Sequence, residues 1–101
     1  MKFLVNGIEK DLEAVDANGT EWTQDLLGNY SALHYDEELE EYMLTEEEFD
    51  WWEPVIEKLN EIAKLEKELD DDTLKEYNAQ CWSSDLDNEV DEQLQWLKNR
   101  A

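Results

Sequence analysis

Between Lys10 and Lys58 the chain has no lysine and no arginine, while Asp and Glu recur throughout that interval. The formal charge of -21 over 101 residues is therefore concentrated, not spread. A field of that sign repels phosphate backbones and anionic lipid, so neither direct nucleic-acid binding nor membrane attachment is expected. Cysteine is as scarce: Cys81 stands alone, which excludes an intramolecular disulfide, the usual staple of small secreted domains. The apolar start Met1 to Val5 gives way at Asn6-Gly7, too short for a signal-peptide core or a membrane span. These absences point to a cytoplasmic protein.

Chemistry-bearing residues are few. His34 is the only histidine, and nothing in the spacing places it beside Cys81. There is no His/Cys cluster for zinc and no glycine-rich phosphate loop. Asp85 to Asp91 superficially resembles a calcium loop, but its sixth position is not glycine and its twelfth is Trp96, so an acidic helix start is the better reading. No catalytic residue, metal ligand or cofactor is expected, and the chain reads as non-enzymatic.

What the chain does have is aromatic bulk: Trp22, Trp51, Trp52, Trp82 and Trp96, with two phenylalanines and four tyrosines. Large rings bury much area per residue, which lets a small core hold against electrostatic self-repulsion. A single folded domain over 1–101 is expected, since the length suits one modest core. Lys2 to Val5, Asn6-Gly7 and Ile8 to about Ala14 read as a hairpin, because both turn residues tolerate positive φ. Phe3 and Val5 would share a face with Ile8, Leu12 and Ala14. Thr20 is expected to cap a short helix that runs through Leu27 and stops at Gly28-Asn29. Ser31 to Tyr35 and Tyr42 to Leu44 have strand character around the acidic run Asp36 to Glu41.

From Thr45 the pattern turns helical. Thr45-Glu46-Glu47-Glu48 forms a capping box, and acidic residues in a first turn suit the helix dipole. The helix should reach about Leu69, with Phe49, Trp52, Ile56, Leu59, Ile62, Ala63 and Leu69 near one face. Pro54 lies inside it, so the helix either kinks there or divides into two. Asp70 to Asp72 breaks the pattern and caps Thr73 to Trp82, and a last helix covers roughly Asp85 to Asn99. The expected class is α+β: a small antiparallel sheet against three to four helices.

The acidic stretches carry the functional reading. Carboxylates at i and i+4 on a helix stand about 6 Å apart, and alternate strand residues about 6.6 Å apart. Both approach the spacing of successive phosphates, about 7 Å along a nearly extended backbone. The candidate rows are Asp36, Glu38 and Glu40, with Glu37 and Glu41 opposite, then Glu46 with Asp50 and Glu53 with Glu57. Glu47 lies in the same region. Helical phase buries Trp52 and leaves Trp51 toward the acidic side, an aromatic anchor within a charged rim.

In size, acidity, α+β pattern and the Asp36 to Glu57 run, the chain resembles the small acidic proteins that phages and mobile elements make against DNA-binding host defences. Anti-restriction proteins, uracil-glycosylase inhibitors and several anti-CRISPR proteins form that class. The resemblance implies carboxylates taking the place of phosphates in the basic nucleic-acid-binding cleft of a protein in the bacterial host cytoplasm. A CRISPR effector is the favoured partner, through its positively charged channel, and a restriction enzyme the nearest variant. The alternative is an antitoxin, immunity or assembly protein that binds a basic partner without mimicry.

Overall fold

The computed structural model describes residues 1–100. Its elements follow in the order β1 (Lys2–Val5), β2 (Ile8–Asp11), α1 (Thr23–Asn29), β3 (His34–Asp36), β4 (Glu41–Leu44), α2 (Glu46–Lys67), α3 (Asp71–Asn78) and α4 (Leu86–Arg100). The α+β class is as expected. Asn6 (φ 52°) and Gly7 (φ 77°) turn β1 into β2, the conformation that this dipeptide favours.

The sheet order is β2-β1-β4-β3. Each hairpin is antiparallel, but they join through β1 and β4, which run parallel with Leu4 opposite Met43 and Val5 opposite Leu44. The sheet is thus mixed, not wholly antiparallel. A parallel pair needs a long connection, here supplied by β2, α1 and β3.

Register decides which residues enter the core. Phe3, Val5 and Leu44 are buried, so the alternate residues Lys2, Leu4, Glu41 and Met43 occupy the opposite face. Helices meet the Phe3 face: Lys10 lies over the Phe49 ring at 4.7 Å, and Gln24 donates to the Tyr42 hydroxyl at 3.4 Å. Ile8 shares Val5's face as expected but lies 61% exposed on the edge strand, whereas Leu12 and Ala14 are buried.

Both boundaries of α1 differ from expectation. Trp22, not Thr20, precedes α1, and it offers no side-chain cap. Thr20 is held instead in a tight loop, where its amide donates to Asp16 Oδ1 and its carbonyl accepts from the Asp16 amide. The Thr23 hydroxyl, buried within the first turn, accepts from the Ala14 amide at 2.9 Å. Gly28 and Asn29 lie inside the helix, which ends against Tyr30.

The capping box at Thr45 forms in both directions: Thr45 accepts from the Glu48 amide at 3.1 Å, and Glu48 accepts from the Thr45 amide at 3.0 Å. From there α2 is one unbroken helix through Pro54. Pro54 is exposed, so the carbonyl its missing N–H leaves unpaired is on the solvent side. Asp70 caps α3 through the Thr73 amide at 2.7 Å, and α3 stops at Asn78, short of Trp82. Phe49, Trp52, Val55, Ile56 and Ile62 form the buried face of α2, which packs on the sheet and on α4. The molecule is elongated, 50 × 24 × 19 Å, with a radius of gyration of 15.3 Å. A compact chain of this length would have about 13 Å.

Candidate partner-binding faces

The residues Glu46, Asp50, Glu53 and Glu57 recur at i, i+4, i+7 and i+11 of α2, so they form one straight stripe. It spans about 16 Å at about 1.5 Å rise per residue. All four are exposed, and helical phase sets them opposite the buried face. None forms an ion pair among the described residues. The one polar neighbour is Asn6, whose side-chain amide donates to Glu46 Oε2 at 2.9 Å. Glu46 with Asp50 and Glu53 with Glu57 are expected as pairs one turn apart, and an unbroken α2 joins them into one row. Glu61 continues the line but lies 3.6 Å from Lys98, and Lys64 ends it.

Glu47 and Trp51 lie on the flank of that stripe, one turn apart. Trp51 is 41% exposed and Trp52 is 4% exposed, the division that helical phase predicts. Trp51 meets Trp52 edge-on with centroids 4.8 Å apart, and Tyr30 meets Trp52 from α1's end at 5.9 Å. Tyr30 is itself 48% exposed. Two accessible rings thus lean on one buried indole. Tyr30's part in this patch was missed, because only tertiary contact joins it to α2.

The acidic run Asp36 to Glu41 is built differently. It is no strand row: only Asp36 and Glu41 are in strands, while Glu37, Glu38 and Glu40 lie in the turn between them. Asp36 Oδ1 accepts from the Glu38 and Leu39 amides, and Glu40 takes a left-handed φ of 53°. Carboxylate-to-amide bonds close the turn locally, which outweighs any extended spacing. Asp36 pairs with Glu41, and both lie on the sheet face opposite Phe3.

The candidate set is therefore divided between the β3–β4 hairpin and α2. Near the sheet, Lys2 lies 3.0 Å from Glu9 and the Met1 amine 2.8 Å from Asp11, while Asp36, Glu37, Glu38, Glu40 and Glu41 themselves form no ion pair among the described residues. Lys2 is held above its ordinary pKa by the hydrogen bond and charge of Glu9, with smaller contributions from Asp11 and Glu41. On the α2 side no cation intervenes along Glu46 to Glu57. His34 reaches the neighbouring Glu48 at 3.3 Å, not the stripe. Glu48 is lowered from its usual pKa chiefly by the Thr45 amide.

Among the described residues no group of three or more His, Cys, Asp or Glu side chains is arranged to hold a metal ion, and no helix is long and apolar enough to cross a membrane. Comparison with family models, curated proteins and solved structures finds no match in any of the three.

Proposed function

We propose that the chain is a non-enzymatic inhibitor that fills the basic nucleic-acid-binding cleft of a host defence protein, presenting carboxylates where the cleft expects phosphates. The favoured target is a CRISPR effector, with a restriction enzyme as the nearest variant. One observation carries the reading: the α2 stripe is solvent-facing, ordered on a capped helix and free of countercharge, so its full field is available to a partner's Lys and Arg. Carboxylates one turn apart stand at a near-phosphate spacing, and the elongated body, 50 Å in its long dimension, matches about fifteen base pairs of duplex at about 3.4 Å each.

A second reading, a basic-partner binder without mimicry, has its own support. The exposed Trp51 and Tyr30 rings offer an apolar contact that a duplex backbone lacks. Competition separates the two. The immobilised protein should capture a basic nucleic-acid-binding protein from bacterial lysate, and nonspecific duplex DNA should release it. A captured partner that stays bound under saturating duplex DNA overturns the mimicry and favours the second reading.

A further inference from the structure

Acidic residues outnumber basic ones 29 to 8, so a lysine here should find a carboxylate by default. Lys2, Lys58, Lys98 and Arg100 do so, and Lys10 lies on the Phe49 ring. Lys64, Lys67 and Lys75 have no carboxylate within ion-pair distance among the described residues, and of these Lys64 and Lys67 border the same hollow. Of the acids nearest on α2, Glu61 lies 3.6 Å from Lys98, and Glu66 is partly buried, with its pKa raised by that burial.

The hollow has a volume of about 340 Å³ and lies between the loop after β2 and the second half of α2. That volume is at the lower end of small-ligand sites, about 300–1,000 Å³. It stays open because Ala17, Gly19 and Ala63 put little bulk into it. Its wall is braced by Asn60, which also lines it: the Asn60 carboxamide accepts from the Val15 amide at 2.8 Å and donates to the Glu13 carbonyl at 2.8 Å. Asp16 also borders it, but Asp16 Oδ1 already accepts from the Asn18 and Thr20 amides and so serves the loop. The result is a pre-formed, mainly apolar hollow bordered by two lysines that form no ion pair among the described residues.

We propose that this hollow binds a small organic anion, its apolar body against Val15, Ala17 and Ala63 and its charged group between Lys64 and Lys67. The site is independent of the α2 stripe, and its test needs no partner protein. The probe is 8-anilinonaphthalene-1-sulfonate, an aromatic body with one sulfonate, titrated into the folded protein while backbone amide shifts are followed by NMR. Saturable shifts are expected at Gly19, Ala63 and their neighbours. Lys64→Gln with Lys67→Gln should weaken binding about tenfold, the change that about 1.4 kcal/mol brings, while Lys75→Gln leaves it unchanged. The neutral counterpart N-phenyl-1-naphthylamine should bind more weakly than the sulfonate to the parent protein and equally well to the double variant. Ala63→Leu should fill the hollow and abolish the shifts. Saturable shifts elsewhere, an absence of shifts, or a double variant that binds the sulfonate as the parent does would overturn the proposal.

Discussion

Replacing Trp52 by alanine should nearly unfold the protein, whereas the same change at Trp51 should leave it standing. Trp52 is 4% exposed and takes two rings edge-on, Trp51 at 4.8 Å and Tyr30 at 5.9 Å. Removing a large buried aromatic costs about 3–5 kcal/mol. Each edge-to-face pair adds about 0.5–1.5 kcal/mol beyond area burial, which places the loss near the upper end, about 5 kcal/mol. Domains of this size have about 5–15 kcal/mol in total. Trp51, 41% exposed, gives up one ring pair and little buried area, about 1 kcal/mol. The assay is urea unfolding followed by far-ultraviolet circular dichroism, since the remaining tryptophans confuse fluorescence. A midpoint lower by about 2 M for Trp52→Ala and by a few tenths of that for Trp51→Ala is expected. Equal losses, or the two behaviours exchanged, would refute the assigned helix phase and with it the position of the acidic stripe.

Thr45→Ala removes the acceptor for the Glu48 amide and should cost about 1–2 kcal/mol in the same unfolding assay; a neutral effect would mean that the capping box does not hold α2. Glu66→Gln should stabilise the protein at neutral pH. Burial raises the Glu66 pKa, so the folded state binds its proton more readily than the unfolded state, and stability falls as pH rises through the folded value. Melting temperatures at several pH values check this: the variant's advantage should vanish on acidification, and an advantage that grows there contradicts the burial. Glu48 has the opposite sign. Its pKa is lowered, so its contribution is present above the ordinary Glu value and is lost as pH falls through the lowered one, a loss that Glu48→Gln should blunt in the same measurement.

Local chemistry was legible in the sequence, and tertiary placement was not. Asn6-Gly7, the Thr45 box and the Asp70 cap follow from a few adjacent side chains and form as read. The Trp51/Trp52 division follows from helical period alone. The parallel pairing of β1 with β4 depends on a long connection, and no adjacent residues encode it. Thr20 looked like a helix cap because its side chain suits one, but Asp16 claims its amide for a loop. The acidic run around Glu38 looked like a strand row, yet Asp36 can satisfy two turn amides, and that local bonding wins. In the sequence Asp36 to Glu57 reads as one acidic face. The fold instead divides it between a locally bonded turn, Asp36 to Glu41, and a straight helical stripe, Glu46 to Glu57, and only the unbroken α2 reveals the stripe.

Charge removal by position tests the central claim most directly. Glu46→Gln, Asp50→Asn, Glu53→Gln and Glu57→Gln together take four charges from the stripe; Glu13→Gln, Asp25→Asn, Glu68→Gln and Asp72→Asn take four from exposed positions elsewhere. The measurement is the affinity of each variant for the captured basic partner at physiological salt, where the Debye length is about 8 Å and distant charges are screened. The stripe variant should lose at least about tenfold more affinity than the control variant, about 1.4 kcal/mol of preferential loss. Equal losses would mean that the partner reads net charge alone, and the ordered α2 stripe would have no special role.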